Sequence, residues 1–403
     1  ITVEGNALAL TRQMADYLGG AYVPLDTERD VGRVVLRVEG GQCHVDFAAL
    51  RAEDIIRDLW ARDYTINAMA IPLTDGLGEL LDPTGGYEDL RAGVLRVASE
   101  RAFEDDPLRI LRGIRLRGVL SFALTDETEA LIKDWLPALR FVSAERIRDE
   151  LAQILALEDA AASLRYAADL GVLQTVLPEF SEQRMPPAEG IGVVQALEDI
   201  WRLAREEHGN LDSRRELAGS VRAYLPQLTE HWAGELSVGR TRQVVLKLAA
   251  LLSVLPNAVQ VAGEVARRLR LSAAEVRFAR HAIEGSGQVL ALCYADLPDP
   301  LEVHRYYREV GDAGLDGAIL ALAWQRAGRT DCEDMAHLSA IAGRLWQAWF
   351  TEHERVVDPT LVGQMLDMLR EAQVRGLVGT RDEALAYART YLESHAPADA
   401  LKG

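Results

Sequence analysis

From Pro107 to the C-terminus the sequence is dominated by Ala, Leu, Arg and Glu, and this run limits the fold more than any other feature. Such a composition predicts helices, with breaks near Gly118, Gly171, Pro178 to Pro187, Gly209, Pro256, Pro298 to Pro300 and Pro359. Residues 1–90 differ. Asn6–Leu18 carries apolar residues at helical spacing and stops at Gly19-Gly20. Arg33–Val38 reads as a strand, Gly40-Gly41 as a turn and Cys43–Ala48 as the returning strand of a hairpin. Tyr64–Pro72 is apolar enough to be buried. The fold class is α+β, a small mixed head followed by a long all-α neck, body and tail. Its expected divisions are 1–90, 91–165, 166–300 and 301–403.

At 403 residues the chain is too long for one core. No apolar run reaches the roughly 18 residues of a membrane span. The N-terminus lacks the basic-then-apolar pattern of a signal peptide. Cys43, Cys293 and Cys332 form no CxxC pair and suggest no disulfide framework, which fits a reducing cytoplasm. A net charge of −18 argues against nonspecific coating of nucleic acid. Seven arginines between Arg91 and Arg117 nevertheless offer a local basic surface.

The chemistry concentrates between Arg62 and Arg115. Asp106-Pro107 is a helix-start signal, with the Asp capping and the Pro in the first turn. Arg109, Arg112 and Arg115 then recur every third residue and drift slowly around one helix face. One reading is a cap plus a solvated face. The other is a hydrogen-bonding edge, an Asp that accepts and an Arg that donates, set against a planar base. Arg62, Asp63 and Asn67 likewise read either as a surface ion pair with a buried Asn, or as ligands for a triphosphate and a ribose. Asp82-Pro-Thr-Gly-Gly86 reads as a turn that lets two backbones approach closely. Ser143–Glu150 reads as a helix start whose Glu and Arg residues support neighbouring helices. No D-x-D pair occurs near a strand end in the first forty residues. Asp46 is a lone candidate carboxylate for a metal ion, and no His pair suggests a His site.

Taken together, RDYTINAMA from Arg62, DPTGGYEDL from Asp82, EDDPLRILRGIRLR from Glu104 and SAERIRDEL from Ser143 resemble the class II tRNA nucleotidyltransferase and bacterial poly(A) polymerase family. The resemblance covers roughly residues 1–165 in order and spacing. It extends more loosely to Val357–Leu392, which looks like a terminal helical segment of longer members. It implies attack of a tRNA 3′-hydroxyl on the α-phosphate of CTP or ATP, with Mg²⁺ as cofactor, no template and no membrane. Asp106 and Arg109 match the positions that select the base, and Arg112 matches a neighbour that orients them or meets the phosphates. Arg62, Asp63 and Asn67 match the triphosphate and ribose motif. Asp82 and Gly86 match the head-to-neck motif, and Glu145 and Arg148 the helix that steadies the base reader.

Two departures from the pattern shape the expectations. The family's metal-binding D-x-D lies just before a segment like Ile1–Gly5, so the chain is read as N-terminally truncated and expected to lack transfer activity, with Asp46 as the remaining carboxylate. Ser253-Val254, after the apolar Leu248–Leu252, stands where longer members carry a His-Asp pair, so a degenerate HD-like body is expected. The connection between the hairpin and Arg62 is short, which hints at a CC-limited product. The rivals are a poly(A) polymerase and a noncatalytic RNA-binding relative; the absent His-Asp pair disfavours an HD-type hydrolase.

Overall fold

The structure is a computed structural model that describes residues 1–73, 76–205, 222–332, 334–352 and 368–395. The chain forms two compact units, Ile1–Pro187 and Ala188–Gly403.

The first unit opens with a four-stranded sheet made of β1 (Thr2–Val3), β2 (Ala21–Asp26), β3 (Val31–Val38) and β4 (Gly41–Ala49). Its order is β1-β4-β3-β2, with β1 parallel to β4 and the other pairs antiparallel. The β3–β4 hairpin and its Gly40-Gly41 turn follow the sequence reading. The strands β1 and β2 were not expected; β2 is largely exposed and holds Pro24, so it lacks the alternation that marks a strand. Helix α1 (Ala7–Leu18) covers one face, and Ala7, Ala15, Val34 and Phe47 form the core between them. Asn6 caps α1 through the Ala9 amide, and Gly19 closes it in the left-handed region at φ 66°. Asp30, in the β2–β3 turn, accepts from the Ala7 and Leu8 amides at 2.7 and 2.8 Å and fixes that turn against the helix.

Past the sheet come α2 (Ile55–Trp60), a 3₁₀ turn over Thr65–Asn67, α3 (Gly86–Ala92), β5 (Val94–Leu95), α4 (Ala102–Asp105), α5 (Arg109–Leu120), β6 (Ala123–Leu124), α6 (Asp126–Trp135), α7 (Ala144–Leu155) and α8 (Ala160–Asp169). The small parallel pair β5–β6 interrupts what the composition predicts to be helix throughout.

Among its described residues the second unit is mostly helical, with a short ribbon of Glu235–Ser237 and Arg240–Thr241. Its central helices are Arg242–Leu252, Ala273–Ala291 and Gly314–Arg326. Val244–Leu252 is buried without interruption, which explains its unbroken apolar sequence. At the Ser253-Val254 position, the Ser253 hydroxyl donates to the Ala250 carbonyl at 2.7 Å and accepts from the Trp324 indole at 2.8 Å. It serves packing there. The expectation that the cysteines stay apart is corrected: Cys293 and Cys332, 39 residues distant, are disulfide-bonded with their Cα atoms 6.1 Å apart. Cys43 is free and exposed. Of the C-terminal segment singled out in the sequence, residues 357–367 lie outside the described residues, and Arg381–His395 is a helix.

Candidate nucleotide-binding site

The polar motifs converge on one cavity of about 350 Å³ in the first unit, lined by Arg29, Arg51, Arg62, Asp63, Asn67, Asp106, Arg109, Arg112 and Arg146. Six residues named from sequence meet there: Arg62, Asp63, Asn67, Asp106, Arg109 and Arg112. Arg29, Arg51 and Arg146 were not assigned to it.

Each of these six side chains is held by a partner. Arg62 and Asp63 do not pair with one another. Arg62 donates to the carboxylate of Asp58, one turn back in α2, from Nη2 at 2.9 Å and Nε at 3.1 Å. Asp58 is fully buried and also accepts the Arg51 amide at 2.8 Å. Asp63 accepts from the Tyr64 amide at 2.8 Å, from Asn67 at 3.3 Å and from Arg112 at 3.0 Å. Burial pushes the Asp63 carboxyl up, but the Tyr64 amide and Arg112 outweigh it and hold the group below the usual carboxylate range. Asn67 is exposed to the cavity, against the reading of a buried Asn.

Helix α5 begins two residues later than the Asp-Pro signal suggests, at Arg109, although Asp106 does cap the turn through the Leu108 amide at 3.2 Å. The second Asp106 oxygen accepts from Arg146 of α7 at 2.6 Å. Burial raises the Asp106 carboxyl, while the hydrogen bond and charge of Arg146 lower it further, so it remains ionised as an acceptor. Arg109 is only 8% exposed. Its Nη1 donates to the Arg62 and Ala102 carbonyls at 3.1 and 3.2 Å, and its Nη2 to the Ala61 carbonyl at 2.7 Å. Arg109 therefore clasps the Ala61–Arg62 backbone, and two of its five N–H donors remain for a ligand. Burial holds its guanidinium below the usual arginine range. Arg112 spans Asp63 and Glu150, and Arg115 donates to Glu150 at 2.8 Å. Burial lowers Arg112, and the two carboxylates more than restore it.

The scaffold depends on two close approaches. The Tyr64 hydroxyl donates to the Arg109 carbonyl at 2.9 Å, and a Cβ on Gly113 would overlap that hydroxyl, so glycine in mid-helix lets the two motifs touch. Asp82 accepts from the Gly86 and Tyr87 amides at 2.7 and 2.9 Å, and Gly86 lies against the Thr65 carbonyl where no side chain fits. Asp89 then accepts from the Thr65 hydroxyl at 2.7 Å. The Asp82–Gly86 turn thus fastens α3 to the Arg62–Asn67 segment.

On α7, Arg148 donates to Asp149 at 2.8 Å and Glu145 is exposed. From the same helix Arg146 meets Asp106, and Glu150 meets Arg112 and Arg115. Ser143 makes no side-chain cap. Arg146 and Glu150 face one side of α7 because four residues separate them, a spacing visible in the sequence.

A metal site needs clustered ligands. Asp46 accepts from Arg33, its cross-strand neighbour, at 2.6 and 2.9 Å, and that bond holds its carboxyl below the usual range. Among the described residues no group of three His, Cys, Asp or Glu gathers to hold a metal ion. The donor set on these residues does not fit a pair of Mg²⁺ ions.

Comparison with known proteins agrees with this architecture. A family described as the poly(A) polymerase head domain matches residues 33–96, and one described as a probable RNA- and SrmB-binding site of polymerase A matches residues 121–184. The chain is 34% identical over 389 residues to a CC-adding tRNA nucleotidyltransferase of Geobacter sulfurreducens, covering 94% of this chain and 84% of that protein. It is 30% identical over 413 residues to an A-adding tRNA nucleotidyltransferase of Deinococcus radiodurans, covering 95% and 88%. Among solved structures, an apo CCA-adding enzyme superposes with a TM-score of 0.60 at 23% identity, over 98% of this chain and 86% of that one, which shows the shared fold. With identity of this level running along nearly its whole length, the chain belongs to the class II tRNA nucleotidyltransferase family.

Proposed function

We propose that this protein selects CTP and ATP for template-independent nucleotidyl addition to tRNA 3′ ends. The observation that carries the reading is the cavity in which Asp106 presents an ionised acceptor beside the remaining donors of Arg109. Cytosine and adenine both place an exocyclic amino donor next to a ring-nitrogen acceptor. Uracil and guanine place a carbonyl next to an N–H. An edge that accepts and then donates pairs with the first two bases and opposes the second two.

Other residues extend the reading along the nucleotide. Asn67 offers its amide to the ribose, with Asp63 holding its orientation. Arg62 keeps its free N–H groups for phosphate while Asp58 fixes it. The relatives named as CC-adding and A-adding enzymes support tRNA as the acceptor. The link from β4 to α2 is short, since β4 ends at Ala49 and α2 starts at Ile55, and this favours C as the added nucleotide. We assign 1–90 to the head, 91–165 to the nucleotide- and RNA-binding neck, 166–300 to the body and 301–403 to the tail. Mg²⁺ is the metal proposed for the transfer step, although the described residues do not supply its ligands. No described helix is long and apolar enough to cross a membrane, and a tRNA substrate supports a cytoplasmic setting for the activity.

Calorimetric titration with the four nucleoside triphosphates tests the reading. CTP and ATP are expected to bind roughly 10–100-fold more tightly than UTP and GTP, the discrimination of one matched hydrogen-bonding edge. Equal affinity for all four would overturn it.

A further inference from the structure

The six arginines of the cavity fall into two sets. Arg62, Arg109, Arg112 and Arg146 are committed to Asp58, to three backbone carbonyls, to Asp63 with Glu150, and to Asp106. Arg51 is different. Among the described residues its guanidinium makes no hydrogen bond or ion pair, yet its backbone is held by the buried Asp58 carboxylate at 2.8 Å. Its neighbour Leu50 is tied to the Val3 carbonyl at 3.0 Å. A fixed backbone thus carries an uncommitted cation to the cavity wall. Arg29 joins it from the β2–β3 turn, and its nearest carboxylate, Asp26, stands at 3.9 Å.

The electrostatics favour an anion between these groups. The lining has six arginines against two aspartates, in a protein whose net charge is −18. The charge of Arg51 reaches Arg109 and adds to the burial that holds Arg109 below the usual arginine range. Like charges set around one polar cavity repel until a counter-charge enters. The committed arginines already have carboxylates or carbonyls. Among the described residues Arg51 has neither and Arg29 has only Asp26 at 3.9 Å, so the excess positive charge lies at their end.

We propose that Arg51, supported by Arg29, holds the terminal phosphates of the incoming nucleotide and so lets the cavity tell a triphosphate from a monophosphate. The assignment rests on the nucleotide reading above and extends it to a residue that reading leaves unused. Asp58 is the positioning residue, since one buried carboxylate sets both the Arg51 backbone and the Arg62 guanidinium.

The test is equilibrium binding of CTP, CMP and inorganic tripolyphosphate to the full chain, to Arg51→Gln and to Arg51→Lys. For Arg51→Gln, CTP and tripolyphosphate are expected to weaken by roughly tenfold or more, the loss of one charge-assisted contact, while CMP stays within about twofold. Arg51→Lys keeps the charge and should recover part of the loss. Because Arg51 is exposed, the thermal unfolding midpoint should not move. CTP and CMP weakening by the same factor, or neither changing, would overturn the proposal while leaving the nucleotide reading intact. A wild-type chain that binds tripolyphosphate through Arg51 but shows no preference for CTP over UTP would sink the nucleotide reading and keep the anion site. A wild-type chain that binds neither CTP nor tripolyphosphate would overturn both.

Discussion

The arginine–carboxylate pairs of the first unit and the charged pairs of the second are built from the same chemistry and put to different ends. Around Asp106 the pairs border a cavity: the Arg112 and Arg146 side chains are 41% and 39% exposed, while their carboxylate partners lie deeper. In the second unit Lys247 and Glu198 meet at 2.6 Å with each side chain 2% exposed, beside the Trp201 ring. His231 meets the fully buried Asp316 at 2.7 Å. A sealed pair has no room for a ligand and can only shape packing. An arginine whose partner sits behind it is oriented and still presents donors outward. The cavity of the first unit is thus a set of oriented cations, whereas these two pairs of the second unit are closed off inside its scaffold.

The largest expected effect breaks the scaffold alone. Lys247→Met removes the cation that faces the buried Glu198 carboxylate, which should cost about 3–5 kcal/mol of stability. Differential scanning calorimetry should show a lowered transition, and CTP affinity at a temperature where the variant is folded should be unchanged. A loss of CTP affinity there would dissolve the contrast between the two regions.

Gly113→Ala attacks the other side of the comparison. The added methyl displaces the Tyr64 hydroxyl from the Arg109 carbonyl, and an overpacked site of this kind costs about 1–3 kcal/mol. CTP binding should fall by tenfold or more, because the Arg62–Asn67 segment and α5 can no longer meet. Unchanged binding would mean that the contact does not set the cavity. Tyr64→Phe, which removes the hydroxyl, should restore part of the affinity when combined with Gly113→Ala.

Asp63→Asn sharpens the comparison through pH. The folded Asp63 carboxyl lies below its usual range, so its contribution is present at neutral pH and lost as pH falls through the folded value. The variant should be less stable than the wild type by about 1–3 kcal/mol at pH 7. The gap should close as pH drops below about 4, where the unfolded carboxyl also protonates. A gap that is constant between pH 7 and pH 3, followed by urea unfolding, would contradict a role for the ionised carboxylate.

Much of this was legible from residues that act on their own neighbours. Asn6 and Gly19 bound α1, and Gly40-Gly41 turns the hairpin, because caps and turns are short-range chemistry. Gly86 was legible as a close approach for the same reason. Partner choice was not. Arg62 turned back to Asp58, four residues away, instead of to its neighbour Asp63, and Asp63 took Arg112 from 49 residues along the chain. The Arg109 clasp was hidden because its partners are backbone carbonyls, which every residue carries. Arg51 was passed over because its surroundings read as an ordinary connection; its position depends on a carboxylate that only folding buries. The Cys293–Cys332 bond was missed because a separation of 39 residues says nothing about proximity.

The central claim is that Asp106 reads the base, and the ratio of CTP to UTP affinity in the wild type and in Asp106→Asn tests it most directly. An Asn amide can turn its N–H₂ toward the carbonyl of uracil, so the wild-type preference of roughly 10–100-fold should collapse toward equality, with the unfolding midpoint of the variant recorded alongside. A variant that stays folded and keeps the full preference for CTP would contradict the account.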